Sequence, residues 1–143
     1  MDWKICFVQG IELLFLGIGT YYDIKDRELP LCFLITFLLI GLSCNMVLQY
    51  QSLNDLIIGG SIGSVFLVVG WMTKEEIGYG DGIGLMVLGI LTGWKNLIPI
   101  TFTAFLLSGI YGLWKVIGLK VSGNSTIPFF PFLFIAAIGV ILI

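Results

Sequence analysis

The chain has 143 residues, of which 58% are hydrophobic and only 11% charged. Its mean hydropathy is +1.07. A water-soluble domain carries about 25% charged residues, so too little polar surface is present to cover a globule in water, and lipid is the solvent that fits. The net charge of −2 comes without any basic cluster, which excludes nucleic acid as a partner. The absence of histidine excludes a histidine base and His-ligated metal. Cys6, Cys32 and Cys44 are scattered and form no C-x-x-C pair, so they read as small apolar fillers, with neither metal nor disulfide expected.

The expected fold class is all-α, a polytopic membrane bundle of about six helices. A spanning helix needs about 20 mostly apolar residues. Six stretches come near this, about 5–22, 29–48, 56–72, 82–94, 97–117 and 128–143, of which the fourth is short. Lipid-exposed backbone must satisfy its own hydrogen bonds, which makes helices the expected form. Pro30, Pro99, Pro128 and Pro131 fall near the first turn of an expected helix, where a missing N–H does little harm. Asn54 or Asp55 is the expected cap of the third helix, and Asn96 of the fifth. No internal repeat is evident, the start does not read as a signal peptide, and residues 1–143 are expected to form one bundle without an appended soluble domain.

Orientation follows from Lys and Arg. With the N-terminus outside, the inner side holds Lys25, Arg27, Lys74, Lys115 and Lys120, and the outer side only Lys4 and Lys95. Both termini are therefore expected outside the cytoplasm. Trp3, Tyr50, Trp71, Trp94, Tyr111 and Trp114 suit the interfacial belt, and the last two also suit the inner mouth. Asp23, Asp26, Glu28, Glu75, Glu76 and Asp81 all fall on the inner side. Some of these are solvated loop charges, but Asp23 and Asp81 each abut a membrane segment.

Asp23 ends the first segment, and Asp81 opens the fourth within Gly78-Tyr79-Gly80-Asp81-Gly82. Two crossings separate them, which returns the chain to the same face and puts both carboxylates at one depth. Carboxylates sharing a site do not both ionise readily, so one keeps its proton as the other activates water. Asp23 stands at a helix C-terminus and Asp81 near an N-terminus, which assigns Asp81 as the ionised base and Asp23 as the acid. The alternating Gly78, Gly80, Gly82 and Gly84 either let a substrate strand lie against exposed backbone or serve as small residues for helix packing. Glu12, three turns before Asp23, either orders water inside the bundle or is protonated or hydrogen-bonded to a neighbouring helix.

Three stretches carry a family resemblance. Asp23-Ile24-Lys25-Asp26-Arg27-Glu28-Leu29-Pro30 resembles the first catalytic motif of type IV prepilin peptidases, Gly78-Tyr79-Gly80-Asp81 their G-x-G-D motif, and Ile127-Pro128-Phe129-Phe130-Pro131-Phe132 the I-P-F-x-P-F stretch that opens their last helix. The resemblance implies an aspartic endopeptidase without cofactor. Such an enzyme cuts basic leaders from prepilin-like proteins at the cytoplasmic face of the cell membrane, with Asp23 and Asp81 as the catalytic pair. Gly78, Gly80, Glu28, Glu75 and Glu76 are the expected substrate contacts, and Pro30, Pro128 and Pro131 the structural motif positions. Asp26 matches no catalytic position. Leu31 and Ile83 depart from the commoner family residues. The short form is similar to Tad/Flp-type and archaeal preflagellin peptidases, so N-methylation is expected to be absent. Presenilin-like proteases share G-x-G-D but carry their aspartates on adjacent helices. The alternative functions are a non-catalytic assembly factor or a small transporter subunit.

Overall fold

The computed structural model describes residues 2–72, 78–119 and 127–143. Among the described residues there are six helices and no strand: α1 Trp3–Lys25, α2 Leu31–Leu48, α3 Leu53–Met72, α4 Tyr79–Thr92, α5 Trp94–Gly118 and α6 Phe130–Leu142. Of these, α1, α2, α3 and α5 are long and apolar enough to cross a membrane.

Local chemistry moves several expected boundaries. The start of α3 is set by Ser52, whose Oγ accepts the Asp55 N–H at 3.2 Å and donates to Asp55 Oδ2 at 2.7 Å. Ser52 thus caps α3 through the Asp55 N–H, with Asn54 and Asp55 inside the first turn and Ser52 in the role expected of them. Only Gly93 separates α4 from α5, and its φ of 73° is the left-handed conformation that glycine adopts cheaply. As α5 begins at Trp94, Asn96 is not its cap and Pro99 lies inside the helix, past the first turn.

The bundle is organised around α4. Eight of its residues are buried, Gly82, Gly84, Leu85 and the run from Val87 to Leu91, and α1, α2, α3 and α5 all pack against it. In lipid no hydrophobic force pulls apolar helices together, so close packing has to supply the attraction. Glycine makes that possible along α3 and α4. A methyl group on Gly59 would overlap the Gly89 carbonyl, and one on Gly63 would overlap the Met86 backbone. The outer helices expose large apolar side chains, among them Leu39, Met46, Val65, Phe102 and Leu113, as contact with acyl chains requires.

Two of the helices are short. With 14 and 13 residues, α4 and α6 are about 21 and 20 Å long at 1.5 Å per residue. The hydrocarbon core is about 30 Å thick. Helices this short do not reach both faces of the hydrocarbon core when they run straight across it.

Leucine at Gly63 should force α3 away from the Met86 backbone and destabilise the bundle by at least about 2 kcal/mol in denaturant titration of micelle-embedded protein. Leucine at Gly10, where no atom lies within 4 Å of an added Cβ, should leave the transition where it is in the wild type.

Candidate active site

The site is formed where the carboxyl end of α1 meets the amino ends of α4 and α6. The last turn of α1 is closed by the Asp26 N–H donating to the Tyr22 carbonyl at 2.8 Å. Arg27 then takes φ of 55°, a left-handed conformation costing a non-glycine residue about 1–2 kcal/mol. The chain reverses through Glu28 and Leu29, and Pro30 stands as the N-cap of α2 with φ of −60°. The seven-residue interval from Asp23 to Pro30 is thus the end of one helix plus a tight reversal.

Asp23 is 8% exposed, and its Oδ2 accepts the backbone N–H of Phe130 at 2.9 Å. Phe130 is the first residue of α6, which has no side-chain cap of its own from Phe129. The carboxylate therefore caps a helix 107 positions away. Asp81 is half-buried in the first turn of α4, with Oδ2 lying back towards Gly78. The two aspartates interact electrostatically with each other, and Asp23 also with Arg27.

Both carboxylates line one cavity of about 530 Å³. Among the described residues its other walls are Arg27, Glu28, Leu29, Leu31, Gly78, Tyr79, Gly80, Ile83, Ile127 and Pro128. The structure thus brings together Asp23, Asp81, Glu28, Gly78, Gly80 and Pro128 from the sequence expectations. Glu75 and Glu76 lie outside the described residues. Pro131 is in the first turn of α6, away from the cavity wall. Tyr111 and Trp114 are exposed and take no part in the wall.

The glycines divide by role. Gly78 and Gly80 face the cavity, while Gly82 packs against Leu67 and Gly84 against Phe130. The fully buried ring of Phe130 fills the space that side chains at Gly19 and Gly84 would occupy. Gly19 stands one turn before Asp23 and Gly84 one turn after Asp81, so this ring spaces the two helices just behind their carboxylates. It also packs edge-on to Phe15, at 5.8 Å between centroids. Sequence reasoning took Phe130 only as the variable position of a motif. The available signal was an uncapped helix start facing two glycines one turn from the aspartates.

The proton assignment made from helix dipoles rested on Asp23 seeing only the carboxyl end of its own helix. The amino end of α6, pointing an N–H at Oδ2, removes that ground. Among the described residues no three His, Cys, Asp or Glu side chains gather as a metal site would require.

Residues 11–113 match the type IV leader peptidase family. Similar proteins include the prepilin leader peptidase/N-methyltransferases of Aeromonas hydrophila, 35% identical over 127 residues, and of Pseudomonas aeruginosa, 35% identical over 124 residues. The Aeromonas salmonicida protein of the same description is 31% identical over 123 residues. These matches cover 80–82% of this chain but only 41–42% of each relative, so the chain spans about two fifths of the relatives' length. No solved structure matches at a significant level.

If the Phe130 ring spaces α1 from α4, Gly84→Ala should destabilise the protein by about 1–3 kcal/mol through overpacking. In the double variant Gly84→Ala/Phe130→Ala the added methyl should cost much less. A coupling energy below about 0.5 kcal/mol in that cycle would mean the two sites act independently.

Proposed function

The chain belongs to the type IV leader peptidase family, and we propose on that footing that it is a membrane-embedded aspartic endopeptidase acting on prepilin-like precursors. The observation that carries the proposal is the meeting of Asp23 and Asp81, from helices two crossings apart, on one recessed cavity. A scaffold or assembly factor has no need of two interacting carboxylates in such a place.

The proposed chemistry is addition of water to the scissile carbonyl. One carboxylate takes a proton from the attacking water as the other gives its proton to the carbonyl oxygen. Collapse of the tetrahedral gem-diol breaks the C–N bond as a proton passes from the pair to the leaving nitrogen and a gem-diol hydroxyl returns one to the pair. With Asp23 Oδ2 engaged by the Phe130 amide, the shared proton resides among the remaining oxygens. The two residues titrate as a unit, so neither is assigned a fixed acid or base role.

The recess suits a particular substrate class. A precursor whose cleavage site immediately precedes a hydrophobic helix can lay that helix in lipid against the bundle and bring its peptide bond to the mouth between α1, α4 and α6. Gly78 and Gly80, without side chains, leave room at the cavity wall, where amide N–H groups of the first turn of α4 are available to an extended segment although the Gly78 carbonyl is already taken. Glu28 supplies a negative charge at the rim for a basic leader. The Lys and Arg distribution supports a cytoplasmic mouth. The even number of helices among the described residues supports both termini lying on the opposite side.

The deciding experiment reconstitutes the protein in liposomes with a prepilin-like precursor. Asp23→Asn and Asp81→Asn should each lower cleavage by at least about 100-fold while remaining inserted and folded. Retention of wild-type rates by either variant would remove that residue from the chemistry.

The Glu28→Gln variant should raise KM for a basic-leader precursor at low salt, leave kcat unchanged, and converge with wild type at high salt as screening takes over. An identical KM at both salt concentrations would exclude Glu28 from leader recognition.

A further inference from the structure

A second polar pocket lies at the other end of the bundle. Glu12 precedes Asp23 on α1 by eleven residues, an axial rise of about 16 Å. It is only 3% exposed, and its Oε1 has no hydrogen-bond partner among the described residues. It meets a cavity of about 150 Å³ whose polar walls are Gln9, Glu12, Tyr50, Gln51, Thr92 and Asn96. Tyr50 is half-buried in the α2–α3 connection, with its hydroxyl turned towards the end of α4.

Three of the lining groups have their donors engaged, while the Gln9 and Asn96 side-chain amides each bring both an oxygen and an NH2 group. Tyr50 donates its hydroxyl to the Leu91 carbonyl at 2.9 Å, Gln51 Nε2 donates to the Ile90 carbonyl, and the Thr92 hydroxyl donates to the Leu88 carbonyl at 2.9 Å. Burial, helped by Cys44 and Glu12, pushes the Tyr50 phenol well above its ordinary value, so it keeps its proton and stays a donor to α4. These three groups therefore have mainly oxygen lone pairs left to offer a ligand. No Lys or Arg is among the described residues lining the pocket. Lys4 lines the neighbouring cavity and donates to the Leu48 carbonyl at 2.9 Å. The carboxyl end of α4 and the amino end of α5 meet at Gly93, so their dipoles largely offset and Glu12 dominates the local field.

Held as an anion in such surroundings, the Glu12 carboxylate needs a countercharge, which a bound cation supplies in competition with a proton. Neutral oxygens with one carboxylate form a hard donor set. One negative charge is matched by a singly charged ion, whereas a divalent ion would leave a charge uncompensated at low dielectric. We infer that this pocket binds a monovalent cation — sodium, potassium or ammonium — through the Glu12 carboxylate and the surrounding side-chain oxygens. The ion would tie α1 to the α2–α3 connection and to the α4–α5 junction, and so act on stability at a distance from the aspartates. The inference is independent of the proposed peptidase activity.

The test is thermal unfolding of the purified chain in lipid nanodiscs. NaCl, KCl or NH4Cl replaces choline chloride at constant ionic strength. At least one of the three should raise Tm saturably, by about 4 °C. Glu12→Gln should abolish the shift, and Asp23→Asn should retain it. A Tm indifferent to replacement of choline, the same saturable shift in Glu12→Gln, or stronger stabilisation by CaCl2 or MgCl2 would each overturn the inference. If Glu12→Gln does not fold, Thr92→Val takes its place. It should raise the half-saturating salt concentration by about fivefold, and an unchanged value would count against the site.

Discussion

The N–H of Phe130 donating to the carboxylate of Asp23 joins the first helix to the last, 107 positions apart. A helix start buried in a membrane protein leaves amide donors that lipid cannot satisfy. Here the sequence just before α6 offers Pro128 and Phe129, which bring no side-chain acceptor. The acceptor comes from α1. One contact thereby satisfies the amino end of α6, orients the Asp23 carboxylate and closes one wall of the cavity. The same residue places its ring between Gly19 and Gly84. Backbone and side chain of Phe130 together bind the carriers of both aspartates into one unit.

That unit requires a rigid support, which α4 provides. It is short, almost wholly buried and held to α3 by glycines that bring the two backbones into contact. Packing of this kind substitutes for the hydrophobic driving force that lipid withholds. With 14 and 13 residues, α4 and α6 are shorter than the hydrocarbon core is thick. The cavity that both carboxylates line lies where their amino ends meet the carboxyl end of α1.

The two ends of the bundle use polar groups differently. At the aspartate end, carboxylates face a cavity of about 530 Å³ whose walls are partly bare glycine backbone. At the far end, Tyr50, Gln51 and Thr92 satisfy carbonyls of α4 and surround a single buried carboxylate. The first arrangement leaves room for a polypeptide. The second is small and rich in acceptors, which suits an ion that fastens elements together.

Much was legible in the sequence because bilayer thickness and backbone hydrogen bonding leave few choices. Apolar runs marked the six helices among the described residues, four of them long enough to span, and parity of crossings put Asp23 and Asp81 at one end. Local exceptions escaped where neighbours in space decide. The choice of Ser52 over Asn54 or Asp55 as cap depends on where the chain turns into α3. The shift of the α5 start to Trp94 depends on a left-handed Gly93, and the direction of the Tyr50 hydroxyl on the free carbonyls of α4. The sequence by itself determined the membrane class, the helix count and the shared depth of the aspartates, since these follow from length, hydropathy and parity. Only the tertiary structure decided which helix end meets which carboxylate, which glycines are for packing, and that Phe130 spaces the pair. Those are contacts between residues far apart in the chain, and no local pattern encodes them.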